Sequence, residues 1–217
     1  MTQPLDDPRD TTAAGRPGVL VSLGRSDTAF YGPLRSWMSA SDVSSKALDA
    51  GAEAPDFFLP DARARLISLS SLLAKGPVVL IFMPGSWCSF CINKIRTLSA
   101  ALQGRAVSVV TLSPETVPYP HDMKTRNQLD CIVLADVDYG VGLSFGLIFA
   151  PPTGIVAQMK AHGLDLGELH GASRPMLPAP AVYVIAPTGR IAMAQVDLDY
   201  MTSVKPESVL QALEAVS

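Results

Sequence analysis

Two cysteines three residues apart, Cys88 and Cys91, stand in the run Pro84-Gly85-Ser86-Trp87-Cys88-Ser89-Phe90-Cys91, between an apolar stretch and a segment of helical spacing. A thiol at the start of a helix faces unpaired N–H groups and the positive end of the helix dipole, which favour the thiolate. Cys88 is therefore the expected nucleophile. Cys91 shares the first helical turn and can close a disulfide with little backbone movement, so it is the expected resolving partner. Two plainer readings stay open. The pair could be half of a zinc site completed by Cys131, His121, His162 or His170, although none stands at a recognisable ligand spacing. It could also be two inert core thiols, against which the Pro-Gly-Ser turn argues, since it reads as an exposed loop.

Other chemically capable residues carry less. Trp87 is expected to shield the thiols and contact substrate, with a plain packing role open. Cys131 opens an apolar strand and reads as a small core residue. The histidines form no triad, and His162 and His170 read as surface or capping groups. Asp136, Asp138, Asp197 and Asp199 read as caps and turns.

The elements that must hold the cysteines follow from periodicity. Val78 to Met83 is a continuous apolar run, the mark of a strand buried on both faces. From Cys91 onward Ile92, Ile95, Leu98 and Leu102 recur at helical spacing up to Gly104. Strands over 106–112 and 131–134, helices over 122–129 and 137–145, and a short helix over 68–75 complete this part. Ala181 to Ala186 and Ile191 to Val196 flank the Pro187-Thr-Gly-Arg190 turn as an antiparallel hairpin. Pro206 opens a last helix with Val209, Leu210, Leu213 and Val216 on one face. Residues 148–176, rich in Gly and Pro, read as an insertion with a helix near 156–162 that covers the active site. Upstream, 1–27 is expected as a flexible tail, 28–51 as a helical extension ending at Gly51, and 52–217 as the domain.

With 217 residues, 48% hydrophobic and 17% charged, and a mean hydropathy of +0.26, the chain has material for a sizeable core, which excludes wholesale disorder. Its longest apolar runs fall short of the roughly 18 residues of a membrane span. A net charge of -3 with scattered Lys and Arg leaves no footprint for nucleic acid or anionic lipid. The polar, acidic first ten residues lack the pattern of a secretory signal, so the expected compartment is the cytoplasm. Three cysteines cannot make a dense disulfide framework, which fits that setting.

Several segments together resemble the peroxiredoxin-like group of the alkyl hydroperoxide reductase and thiol-specific antioxidant family, which has the thioredoxin fold. They are Ala54-Pro55-Asp56-Phe57, Gly85 to Cys91, Phe145 to Phe149, Leu177 to Ile185, Gly189-Arg190-Ile191 and Val196 to Tyr200, and the resemblance spans about 52–213. It implies an α/β fold with a central mixed sheet flanked by helices. It also implies that Pro180 is the cis-proline facing the thiols and holding substrate, with a bare strand-entry role as the alternative. The implied reaction is attack of the Cys88 thiolate on a hydroperoxide, giving a sulfenic acid that Cys91 resolves and a thioredoxin-like donor recycles.

The pattern departs from the family at two places. Members carry a Thr or Ser three residues before the peroxidatic cysteine and an Arg before a later strand; Gly85 and Pro180 stand there instead. Ser86, Arg174 or backbone N–H groups are the substitutes open to this chain. A general dithiol-disulfide oxidoreductase and a non-catalytic redox sensor therefore remain as alternatives. The expected partners are a hydroperoxide and a thioredoxin-like reductant, with a homodimer open. No cofactor, metal, nucleic acid or membrane partner is expected.

Overall fold

The chain approaches its central sheet through two helices, α1 (Thr28–Ser39) and α2 (Val43–Lys46). The computed structural model describes residues 28–116, 119–202 and 204–216, so the expected tail over 1–27 lies outside the described residues. The helical pattern expected over 29–50 is broken after Ser39. There Ser41 turns both its N–H and its hydroxyl onto the Met38 carbonyl, the competition with helix bonding that short polar side chains offer. Leu34 and Met38, four residues apart, bury one face of α1, and the Trp37 ring packs 5.2 Å from Phe149.

A small antiparallel pair follows, β1 (Phe58–Pro60) and β2 (Leu66–Ser68), the second of which the sequence pattern had not shown, its last residue Ser68 having been placed at the start of the next helix. Ser68 then caps α3 (Leu69–Leu73), accepting the Ser71 N–H at 3.0 Å. Next come β3 (Val78–Phe82), α4 (Ser89–Ala101), β4 (Ser108–Ser113), α5 (Tyr119–Arg126), β5 (Ile132–Ala135) and α6 (Gly140–Ser144). The insertion is bracketed by β6 (Ile148–Phe149) and β7 (Leu177–Pro178), which pair antiparallel. It carries α7 (Thr153–Ala161) and a second helix, α8 (Leu166–His170), that periodicity had not shown. The hairpin β8 (Ala181–Ile185) and β9 (Ile191–Val196) and the helix α9 (Pro206–Glu214) close the chain.

Five of these strands form one sheet in the order β5-β4-β3-β8-β9. β3, β4 and β5 run parallel, whereas β8 is antiparallel to both β3 and β9. Every residue of β3 and β8 is buried, as strands covered on both faces require. This topology sets the position of the cysteines. The loops leaving β3 and β4 emerge side by side at the carboxyl edge of the sheet, where open α/β sheets place their sites. Phe82 pairs with Ala181, and the same register carries Met83 alongside Pro180 just beyond both strands. The turn toward Cys88 thus begins next to that proline.

Candidate active site

Cys88 caps α4. Its sulfur accepts the Cys91 N–H at 3.3 Å, and the two sulfurs lie at disulfide distance with Cα atoms 5.3 Å apart. A sulfur in this position receives both a helix N–H and the favourable end of the dipole. Cys88 is 0% and Cys91 3% exposed. The exposed Pro-Gly-Ser loop expected from sequence is therefore not what the chain forms: Pro84, Gly85, Trp87 and Cys88 are buried, and only Ser86 is half-exposed.

Three segments produce that cover. Trp87 packs edge-on against Tyr200 at 6.3 Å, and Tyr200 donates its hydroxyl to the Pro178 carbonyl at 3.0 Å. α8 is tied to the β4 loop by the Thr116 N–H, which donates to the Leu169 carbonyl at 3.0 Å. His170, the last residue of α8, lies against the Pro84 and Met176 backbones, with Nδ1 3.1 Å from the Tyr139 hydroxyl. His170 is thus a buried residue and not the surface group its sequence context suggested. Burial pulls its pKa down to about 4, which keeps it neutral near pH 7. His162 does sit at a helix end, as α7's C-cap, exposed and hydrogen-bonded to Gln158.

Gly85 has a positive φ of 150°, a region open to glycine. A Cβ there would lie 2.6 Å from Trp87 Nε1 and 2.9 Å from Glu115 Oε1. Glu115 is the residue the sequence reading missed. It follows β4, is fully buried, and accepts the Ser86 N–H at 2.9 Å and the Ser86 hydroxyl at 2.8 Å, while Ser113 donates its hydroxyl at 3.1 Å. Burial, only partly offset by these bonds, pushes its pKa up to about 7. The available signal was Ser113-Pro-Glu-Thr116 at the end of a strand parallel to the one leading to Cys88.

On the other side of α4, Lys94 sits one turn beyond Cys91, is buried, and pairs with Asp197 at 3.5 Å. Desolvation lowers its pKa against the opposing pull of Asp197. Asp197, expected as a cap, is instead the counter-charge of a buried lysine, and its N–H donates to the Pro180 carbonyl at 2.9 Å. Asp136 and Asp199 do act as caps, on Val141 and Gly142 and on Met201.

Of the candidate donors, Ser86 aims its hydroxyl at Glu115 and not at Cys88, and Arg174 is exposed with no described bond to the site. Pro180 is buried beside the loop. Cys131 lies just before β5, buried and 3.8 Å from the Thr111 hydroxyl, as a core residue. Among the described residues no three His, Cys, Asp or Glu side chains gather as a metal site.

A helix-capping C-x-x-C pair at the carboxyl edge of a five-stranded mixed sheet, with a proline entering from the antiparallel neighbour, defines a dithiol redox protein of thioredoxin fold. The sequence model of the AhpC/TSA family matches residues 50–194, and the chain belongs to that family. Among solved structures, peroxidoxin BcpB of Mycobacterium tuberculosis is similar at a TM-score of 0.59 and 21% identity, over 78% of this chain and 99% of that one. Peroxiredoxin Q of Xanthomonas campestris is similar at 0.58 and 16%, over 78% and 100%. A thiol peroxidase of Chromobacterium violaceum is similar at 0.61 and 9%, over 78% and 88%. No curated protein matches the chain in sequence.

Proposed function

We propose that the chain is a thiol-dependent peroxidase with Cys88 as nucleophile and Cys91 as resolver. Family and fold support a thiol-dependent peroxidase. The observation that carries the assignment of roles is the Cys91 N–H on the Cys88 sulfur at the helix cap. In the reduced form the Cys88 thiolate attacks one oxygen of a hydroperoxide. The S–O bond forms as O–O breaks, and the leaving oxygen takes a proton to give an alcohol or water. Cys91 then attacks the sulfenic sulfur: S–S forms, S–O breaks and water leaves. A thioredoxin-like dithiol supplies two electrons through a mixed disulfide and restores both thiols. The proposed setting is the cytoplasm. No helix among the described residues is long and apolar enough to cross a membrane.

The test is the rate at which hydrogen peroxide oxidises the reduced protein, followed by Trp87 fluorescence against a small dithiol at equal thiolate fraction. A much faster rate supports the peroxidase. Cys88→Ser should abolish the reaction, and Cys91→Ser should leave a trappable sulfenic acid; equal reactivity of the two variants would overturn the roles. A rate no better than the small dithiol would favour disulfide exchange. That second reading draws on Gly85 and Pro180 standing where the family's donors belong, and on a Ser86 hydroxyl committed to Glu115.

A further inference from the structure

Breaking an O–O bond collects charge on the departing oxygen, and donors preorganised toward such charge are often the largest single catalytic contribution. This site is short of them: Gly85 has no side chain, Pro180 has no N–H, and Arg174 is exposed without a described bond to the site. Ser86 is the hydroxyl that the turn before Cys88 supplies. It is half-exposed and lines a groove of about 330 Å³ together with Trp87 and Ser89, the two neighbours of Cys88. Its hydrogen, however, goes to Glu115 Oε1.

Glu115 has no cationic partner among the described residues. As a carboxylate it accepts the Ser86 N–H and O–H and the Ser113 O–H. With a proton on Oε1 it would lose none of these contacts. The acid O–H then donates to Ser86 Oγ, while Oε2 still accepts from Ser86 N and Ser113 Oγ. A hydroxyl accepts as readily as it donates, so the Ser86 hydrogen is released to point into the groove. Burial brings both forms of Glu115 within reach near neutrality. The other titratable groups on surrounding elements are Cys88, Cys91 and Lys94 of α4 and its cap, Asp197 beyond β9, Asp136 beyond β5, Tyr139 and His170. Lys94 and Asp197 are paired, Asp136 is held by two backbone N–H groups, and burial keeps Tyr139 and His170 neutral.

We propose that Glu115 is a positioning residue for peroxide reduction: in its protonated form it turns the Ser86 hydroxyl hydrogen toward the groove, where Ser86 donates to the oxygen departing from the Cys88-bound peroxide. Ser86 keeps its proton, the departing oxygen is protonated by water, and no electrons pass through either residue. The inference rests on the peroxidase reading and adds to it the identity of the donor.

The experiment measures oxidation of the reduced full chain by hydrogen peroxide from about pH 5.5 to 8.5, divided by its alkylation rate with iodoacetamide, which reads the thiolate and needs no oxygen donor. The wild-type ratio should fall about fivefold between pH 7 and 8, as Glu115 ionises. Glu115→Gln, whose amide donates to Ser86 Oγ at every pH, should hold the high ratio throughout. Ser86→Ala should be flat and lower by about a hundredfold, with alkylation unchanged. A Glu115→Gln ratio that falls as the wild type does, or a Ser86→Ala ratio equal to wild type, overturns the proposal. A fast but pH-independent wild-type ratio overturns it while leaving the peroxidase standing. Wild-type oxidation no faster than a small dithiol at every pH, with normal alkylation, removes the peroxidase reading and this inference with it.

Discussion

The two flanks of the cysteine pair bury ionisable groups in opposite ways. Toward the β4 loop, Glu115 meets only hydroxyls and an N–H; beyond α4, Lys94 meets a carboxylate. A buried charge is tolerated when it is paired or when it can be discharged by a proton. The Lys94–Asp197 side takes the first course and so behaves as a fixed brace, joining α4 to the end of β9 and, through the Asp197 N–H, to Pro180. The Glu115 side takes the second and so responds to pH. One flank holds the site still while the other is free to change state.

The largest effect should come from breaking the brace. Lys94→Ala leaves Asp197 without its partner and should lower stability by about 4 kcal/mol in urea denaturation, whereas the double change Lys94→Met with Asp197→Leu should be close to neutral. A single change costing under about 1 kcal/mol would mean the pair braces nothing.

Somewhat smaller is the pH effect of Glu115. Its folded pKa lies above the unfolded one, so its contribution to stability is fully present below the unfolded value of 4.5 and is lost as pH rises through about 7. Relative to Glu115→Gln, the wild type should lose roughly 3 kcal/mol between pH 4 and 8. A constant difference between the two proteins would show that this flank does not titrate.

His170 supplies the reverse sign next to the same loop. Its folded pKa of about 4 lies below the unfolded 6.5, so its contribution is present above 6.5 and is lost as pH falls toward 4. Between pH 7 and 5 the wild type should lose about 2 kcal/mol that His170→Gln does not. Equal acid sensitivity of the two would place the responsive group elsewhere. The smallest effect is expected at Cys131, just before β5 and outside both flanks: Cys131→Ala should cost about 1 kcal/mol and leave peroxide oxidation unchanged, setting the baseline for the other variants.

The cysteine pair was legible in sequence because its chemistry is local: three residues, one helical turn and an apolar run before it. The buried strands were legible for the same reason. Glu115 and Lys94 were not, since Ser86 and Asp197 lie 29 and 103 residues from them and meet them only through the strand order. The resemblance located Pro180, but only the β3–β8 register explains its place beside the loop. The packing of α8 against the loop before Cys88 was hidden for a further reason. α8 has five residues, too few for periodicity, although Asp165, which accepts the Gly167 and Glu168 N–H groups, marked its start. Read without that helix, His170 looked like a surface residue.

The short pairing of β6 with β7 makes the insertion a closed excursion whose two ends leave and rejoin the domain as neighbours. Its length is thereby uncoupled from the register of the main sheet. For a flexible loop, doubling the length adds only about 0.6 kcal/mol of closure entropy, so the segment can lengthen or shorten over evolutionary time without shifting a single rung of the ladder beneath the cysteines. The part that packs against the loop before the thiols is in this sense an interchangeable module, free to diverge while the redox pair stays where the strands put it.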